Sequence, residues 1–326
     1  MYALVLGKSF DPYYNLAVEE LLLKEYGAEV LYLWQNEKTV VIGRNQNAWR
    51  ECHIERLQAA GGKLARRITG GGAVFHDLGN LNFSFIGKER AGRVEEQLEF
   101  IISALAELGV KAQFSGRNDI ILADGRKFSG NAFSVHGGRS LHHGTIMVDV
   151  NVGGMQYLRV DHSKLQSHAV ASVYSRIANL REVSQGITVE AVSSILSTRY
   201  REKYGTIEAE PHTLLSEKSI RRLTERNASW QWNMGRTPTF DITLEHRFDW
   251  GLLQLCLSLR DGHIHDAAVY SDGLDANWLL SLGAVQKGLR FDRAAMAQAV
   301  HTLEHHDALQ HRMAEEIADW LMEVEY

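Results

Sequence analysis

The sequence predicts an α+β protein in two parts: a larger β-rich part crossed by amphipathic helices, and a smaller α+β part starting near Phe240. Three observations predict it. Short strand-like runs recur between Val30 and Val150, bounded by turn residues. Apolar residues follow the 3.6-residue period of a helix from Val94 to Leu108. Beyond Phe240 a strand-then-helix pattern begins afresh. A chain of 326 residues suits two domains. Its three prolines, Pro12, Pro211 and Pro238, make no proline-rich linker, so the two should be closely coupled.

Each element has a local reason. Asp11-Pro12 starts a helix, because an aspartate caps free N–H groups and proline suits the first turn, and Leu16, Glu19, Glu20 and Leu23 follow on helical spacing. Val30 to Trp34 and Thr39 to Gly43 read as strands, and the polar turn Gln35 to Lys38 between them predicts a hairpin. Lys63 to Ile68 reads as a strand running into Gly70-Gly71-Gly72, followed by strands at Ala73 to Phe75 and Leu81 to Ile86. Val94 to Leu108 is the clearest helix, with Gly109 just past its end. Further strands are expected at Ile120 to Leu122, Lys127 to Val135 and Leu141 to Val150, with turns at Asp124-Gly125 and Gly137-Gly138, then a helix at Val189 to Tyr204. In the smaller part, strands near Gln254 to Leu259 and Ile264 to Tyr270 flank the turn Asp261-Gly262, and helices follow near Ala294 to Leu303 and Ala314 to Met322.

Composition narrows the function. Hydrophobic residues make up 45% and charged residues 23%, which excludes disordered and collagen-like chains. Lysine and arginine total 35 against 40 aspartates and glutamates, so this is no generic polyanion binder, no nucleic acid is expected as a partner, and any basic site is local. Two cysteines, Cys52 and Cys256, are too few for a disulfide scaffold or a four-cysteine zinc site and suggest a reducing compartment. No run approaches the ~20 apolar residues of a membrane span, and Met1-Tyr2-Ala3-Leu4 lacks the basic opening of a signal peptide. A soluble cytoplasmic protein without a membrane partner is expected.

Several segments could carry chemistry. Arg66-Arg67-Ile68-Thr69-Gly70-Gly71-Gly72 places two arginines beside three glycines, each entropically costly in a β-rich region. Close backbone approach to an anionic ligand explains the run, as does a flexible loop with solvated arginines, and the pattern leaves both open. Asp119, in Gly116-Arg117-Asn118-Asp119, suits magnesium or a ligand hydrogen bond as well as turn capping. Lys127, ahead of Phe128-Ser129-Gly130-Asn131-Ala132, could present its ammonium to a phosphate or oxyanion, though most such lysines are surface charges. His142 and His143, adjacent on a strand, point to opposite faces and suit core or hydrogen-bonding roles better than one metal site. His301-Thr302-Leu303-Glu304-His305 matches a zinc pattern but sits in a histidine-rich stretch without a third ligand. Neither cysteine has a nucleophile's surroundings.

Taken in order, the segments Tyr14 to Glu20, Leu33 to Asn36, Val41 to Asn47, Arg66 to Asn80, Ser115 to Asp119, Lys127 to Ala132, His142 to Thr145 and Ser172 to Arg176 resemble the lipoate-protein ligase A family. The resemblance covers nearly the whole chain, and Trp230 to Asp272 is similar to the entry to, and body of, that family's accessory domain. It implies a catalytic domain at 1–244, with a mixed β-sheet flanked by helices as in biotin and lipoate ligases, and a small α+β accessory domain at 245–326. It also implies a two-step reaction. Lipoate attacks the α-phosphorus of magnesium ATP to give lipoyl-AMP and pyrophosphate, and the ε-amine of an acceptor lysine then takes the lipoyl group. The implied acceptors are the lipoyl domains of 2-oxoacid dehydrogenase acyltransferase subunits and the glycine cleavage H protein, and the enzyme is expected to be a monomer.

Carried over residue by residue, the resemblance makes Lys127 the catalytic residue. It assigns Trp34, Arg67, Thr69, Gly70, Gly71, Gly72, Val74, His76, Ala132, His143 and Thr145 to lipoate and lipoyl-AMP, and Asn118, Asp119, Lys127 and Gly130 to the nucleotide. Asp119 is the candidate magnesium ligand, and Arg44 and Arg176 stand behind these. The chain departs from the pattern at Ser134, where some relatives carry arginine, and at Tyr174, which replaces a basic residue often found there; both bear on the nucleotide contacts. The alternatives are an ATP-independent octanoyl or lipoyl acyltransferase of the same fold, which relies on a cysteine, and a non-catalytic ligand-binding relative.

Overall fold

The computed structural model describes residues 1–115, 119–159, 176–205, 207–234 and 242–324. They divide into two compact units, the first made of Met1–Ile42, Ala48–Ile68 and Ala73–Asn233. Its elements begin with β1 (Tyr2–Leu6), α1 (Pro12–Lys24), β2 (Glu29–Trp34), β3 (Thr39–Ile42), α2 (Ala48–Glu51), α3 (Ile54–Ala59), β4 (Lys63–Arg66), β5 (Val74–His76) and β6 (Asn80–Lys88). They continue with α4 (Arg93–Ala106), β7 (Ala112–Phe114), β8 (Asp119–Leu122), β9 (Lys127–His136), β10 (Arg139–Met147), α5 (Val189–Tyr204), β11 (Ile207–Ala209), α6 (Pro211–Leu214), α7 (Glu217–Ala228) and α8 (Trp230–Asn233).

Eight strands form one sheet in the order β11-β1-β2-β6-β10-β9-β8-β7. The pairings of β1 with β11 and β2 are parallel and the others antiparallel, so the sheet is mixed and flanked by helices, as expected. A second sheet has the order β4-β3-β5. The expected hairpin between Val30–Trp34 and Thr39–Gly43 does not form, because the two strands lie in different sheets. The physical reason is burial: Val30 to Trp34 are all buried, and such a strand fills both edges with strand partners, here β1 and β6.

Alternation along β2 and β6 sorts side chains onto two faces. Leu31, Leu33, Phe83 and Phe85 pack with Leu98, Ile101 and Leu105 of α4 and Leu196 of α5. Tyr32, Trp34 and Ile86 pack with Leu16 and Leu21 of α1 and Ile220 of α7 on the other face. Helix ends follow local chemistry. Asp11 accepts from Tyr13 N at 3.3 Å, and Thr188 Oγ1 accepts from Ala191 N at 3.1 Å at the start of α5. Among the described residues no helix is long and apolar enough to cross a membrane.

The second unit comprises Gly43–Asn47, Thr69–Gly72 and residues from Met234 on. Strands β12 (Ile242–Phe248), β13 (Gly251–Arg260) and β14 (His263–Ser271) form an antiparallel meander. Asp261 and Gly262 both take positive φ, 51° and 74°, as a two-residue hairpin of this kind requires. Helices α9 (Ala276–Gln286), α10 (Arg293–Val300) and α11 (Ala308–Glu323) each begin on an aspartate cap, Asp275, Asp292 and Asp307. Their apolar sides close a core with Leu253, Leu255 and Leu257. His301 Nδ1 lies 3.6 Å from Glu315 Oε1, and His305 packs beside Trp278.

Candidate active site

The ladder of the large sheet aligns candidate residues on one face of the first unit. Trp34 stands opposite Asn82, Asn82 opposite Thr145, and Gly130 opposite Asp119. Gly130 N donates to Thr145 Oγ1 at 3.2 Å, closing the row between β10 and β9. The next row on the same face runs Tyr32, Ser84, His143, Ala132.

Lys127 and Asp119 form the charged end. Lys127 Nζ lies 2.7 Å from Asp119 Oδ1, with both side chains about one-third exposed (39% and 35%). The lysine folds back over Gly130, where a side-chain carbon would stand 3.0 Å from Nζ, so a glycine at this position gives the ammonium its place. The Lys127 backbone is pinned on both sides: its N donates to Arg176 O at 2.8 Å, and its carbonyl accepts from Ala178 N at 2.9 Å. Arg176 thus acts here through its main chain. Asn118 and Tyr174 lie outside the described residues. Ser134 is half-buried opposite Leu141, on the same face as Ala132 and Gly130.

A buried polar chain occupies the middle of this face. Trp34 Nε1 donates to Ser84 Oγ at 3.0 Å, Ser84 Oγ donates to Glu19 Oε1 at 2.5 Å, and His143 Nδ1 lies 2.8 Å from the same carboxylate oxygen. All four side chains are buried. Glu19 reaches them from α1, which covers this face. His142, its neighbour in sequence, points the other way, toward Gln97 Oε1 at 2.8 Å and Asn131 Oδ1 at 2.9 Å. Burial foremost, then the electrostatic influence of the neighbouring His143 and Arg93, pushes His142 down to about 3, so its ring is neutral at pH 7.

Arg67 and His76 add buried polarity from the second sheet. Arg67 Nη1 donates to Val41 O at 3.3 Å. Burial lowers its pKa to about 10, against the raising influence of Glu19, and it remains a cation. His76 Nδ1 lies 3.2 Å from Asn36 Nδ2, which fixes the tautomer with the proton on Nε2, and that nitrogen is buried without a partner. Burial first, then Arg67 and His143, pushes His76 down to about 3. Val74 is half-buried on β5. The adjacent Arg66 plays another part. Its guanidinium donates to Trp232 O at 3.0 Å and Asn233 O at 2.6 Å, and Trp232 Nε1 donates back to Arg66 O at 2.9 Å. The pair of arginines therefore splits, Arg66 tying α8 to β4 and Arg67 turning inward.

Thr69, Gly70, Gly71, Gly72 and Arg44 belong to the second unit. Arg44 N donates to Thr69 O at 2.8 Å. A side chain at Gly70 would stand 2.6 Å from Leu274 O, and Gly71 takes φ 89°. Gly72 has neither constraint: its Cα faces open space. Two of the three glycines thus have packing or backbone reasons within their own unit.

Sequence reasoning missed Glu19, Asn82 and Ser84 as members of this face. A signal was present in each case. Glu19 is a carboxylate between Leu16-Ala17-Val18 and Leu21-Leu22-Leu23, and Asn80, Asn82 and Ser84 alternate with Leu81, Phe83 and Phe85. The alternation reads as a solvated polar face, whereas these polar side chains are buried.

The mixed, helix-flanked sheet and the family matches place the chain among the lipoate ligases. Residues 11–201 match the lipoyl protein ligase A/B catalytic domain, and residues 237–321 match the bacterial lipoate protein ligase C-terminus. The lipoate-protein ligase A of Blochmanniella pennsylvanica is 37% identical over 306 residues, covering 90% of each chain. Among solved structures, Plasmodium falciparum LipL1 in complex with lipoate superposes with a TM-score of 0.86 at 26% identity, covering 99% of each chain. A bi-partite lipoate protein ligase from Thermoplasma acidophilum, solved with its E2 lipoyl domain, superposes with a TM-score of 0.62 at 25% identity, covering 74% of this chain and 98% of that one. The chain belongs to the lipoate-protein ligase family.

Proposed function

We propose that this enzyme activates lipoate with ATP at the Lys127–Asp119 end of the sheet and transfers the lipoyl group to a lysine of an acceptor lipoyl domain. The observation that carries the site assignment is the ammonium of Lys127 lying over Gly130, in the row that ends at Trp34. In the first step a lipoate carboxylate oxygen bonds to the α-phosphorus of ATP, and the bond from that phosphorus to the bridging oxygen breaks as pyrophosphate leaves. Two anions must meet, so a fixed cation between them lowers the barrier. Lys127 supplies it, and the Asp119 carboxylate holds the ammonium in place beforehand. In the second step the acceptor amine attacks the acyl carbon, the amine proton is lost, and AMP departs. Charge builds on the acyl oxygen, where the same ammonium donates a hydrogen bond.

Asp119 offers one carboxylate that is about one-third exposed, which fits a magnesium ion held chiefly by nucleotide phosphates. Such an ion would neutralise charge on the departing pyrophosphate. The apolar side chains around Trp34 suit the acyl chain, each buried methylene contributing roughly 0.8 kcal/mol. Residues 1–244 carry the adenylation in this reading, and 245–326 form the accessory domain. Cys52 and Cys256 are buried and form no disulfide, which supports action in the reducing cytoplasm. In this reading the enzyme works as a monomer. Cys52 supports no acyl-thioester route, since burial pushes its thiol up to about 12.

The test is lipoate-dependent exchange of labelled pyrophosphate into ATP by the purified protein, with and without magnesium. Exchange that requires lipoate and magnesium is the expected result. No exchange by a folded, lipoate-binding protein would sink the reading in favour of a carrier-dependent acyltransferase.

A further inference from the structure

The polar row contains one donor that the lysine-centred chemistry does not use. Asn82 is 2% exposed, and its Nδ2 is buried with no hydrogen-bond partner. Its Oδ1 accepts from Asn80 Nδ2 at 3.0 Å, which leaves the amino group as the unmatched end of the carboxamide. An unpaired buried donor is destabilising, so its retention calls for a ligand that meets it. The register says where along a ligand this happens. Asn82 stands between Trp34 and Thr145, two strands from Gly130 and the Lys127 ammonium lying over it. At ~4.8 Å per strand that is about 10 Å. A carboxyl group held at Lys127 with its four-methylene chain laid across the row toward Trp34 brings the far ring of lipoate, not its carboxyl, to Asn82.

We propose that Asn82 is a specificity-determining residue whose Nδ2–H donates to a dithiolane sulfur of the acyl substrate. It thereby selects a sulfur-bearing ring over a plain alkyl end of the same length. The inference rests on the lipoate-activating reading and deepens it. A divalent sulfur is a weak acceptor, so the attractive part is small. Discrimination comes mainly from the alternative: an all-carbon end leaves the donor buried and unpaired.

The experiment measures binding of lipoate, octanoate and 5-cyclopentylpentanoate, the carbocyclic counterpart of lipoate, to the full-length chain by calorimetry. Pyrophosphate exchange with each acid runs alongside. The unmodified protein is expected to prefer lipoate over the cyclopentyl acid by about fivefold or more. Asn82→Leu, similar in size but without the donor, is expected to bring that ratio to one or below, with cyclopentylpentanoate binding retained or improved. Equal affinity of the unmodified protein for the two ring acids would overturn the proposal without any variant, so a misfolding Asn82→Leu leaves it open to refutation. Equal loss of all three acids in a folded variant would overturn it too, since that places Asn82 against the shared chain or carboxyl. The ligase reading fails separately: lipoate binding with normal ring selectivity but no exchange would refute adenylation while leaving the Asn82 contact standing.

Discussion

Asp119 and Lys127 stand 2.7 Å apart across β8 and β9, and the residue opposite Asp119 in the ladder is Gly130, over which the lysine lies. One glycine therefore stands both opposite Asp119 in the ladder and under the ammonium. Lys127→Ala is expected to cut lipoate-dependent pyrophosphate exchange by about 10² to 10³-fold, the usual size for losing one charged transition-state donor. The variant should keep its melting temperature, because the lysine is partly exposed and its backbone bonds do not need the side chain. Near-normal exchange would remove Lys127 from the chemistry.

Gly130→Ala tests the seat. The added methyl would stand 3.0 Å from Nζ and 3.1 Å from Cε of Lys127, and the flexible lysine yields by moving. Misplacing a catalytic group by about 1 Å costs on the order of 10²-fold in rate. Exchange should fall by that order while the melting temperature shifts little, and a variant with unchanged kcat would show that the lysine reaches the substrate by another path.

Glu19 binds both Ser84 and His143 through one oxygen. Glu19→Ala leaves a buried hydroxyl and a buried imidazole without their acceptor, which costs about 2 kcal/mol. For a unit of this size that lowers the melting temperature by about 4–8 °C. Glu19→Gln retains an acceptor and should lose less than half as much. Thermal unfolding of the two variants distinguishes lost hydrogen bonding from lost charge, and equal losses would argue against the bonded chain.

His76 and His142 are both held near a pKa of about 3, far below the 6.5 of an exposed histidine. The unfolded chain thus binds more protons than the folded one between pH 6.5 and about 3, and stability falls as pH drops through that window. By pH 5 each histidine removes on the order of 2 kcal/mol. Denaturant midpoints should decline from pH 7 to pH 5, and His142→Gln should flatten the slope. A midpoint independent of pH over this range would contradict the burial of both rings in neutral form.

Much of this protein was legible without tertiary structure. The bounds of α5 and the chain reversal at Asp261-Gly262 follow from nearest-neighbour chemistry: periodicity, caps, and residues that accept positive φ. His142 and His143 had to point apart, since a strand alternates. The pairing of β2 was not legible, because a fully apolar strand specifies that it is buried and leaves its neighbours undetermined. Gly70-Gly71-Gly72 was ambiguous for a similar reason: the close approach at Gly70 involves a carbonyl some two hundred residues away.

The sequence by itself determined many of the segments, their caps and their turns, because these depend on contacts within a few residues. Only the tertiary structure decided which polar side chains are sheltered. Asn82, Ser84 and Glu19 look like surface residues in one dimension. They are buried because α1, carrying Glu19, packs on that face of the sheet and meets Ser84 there, and the desolvation of a polar group is set by what packs over it.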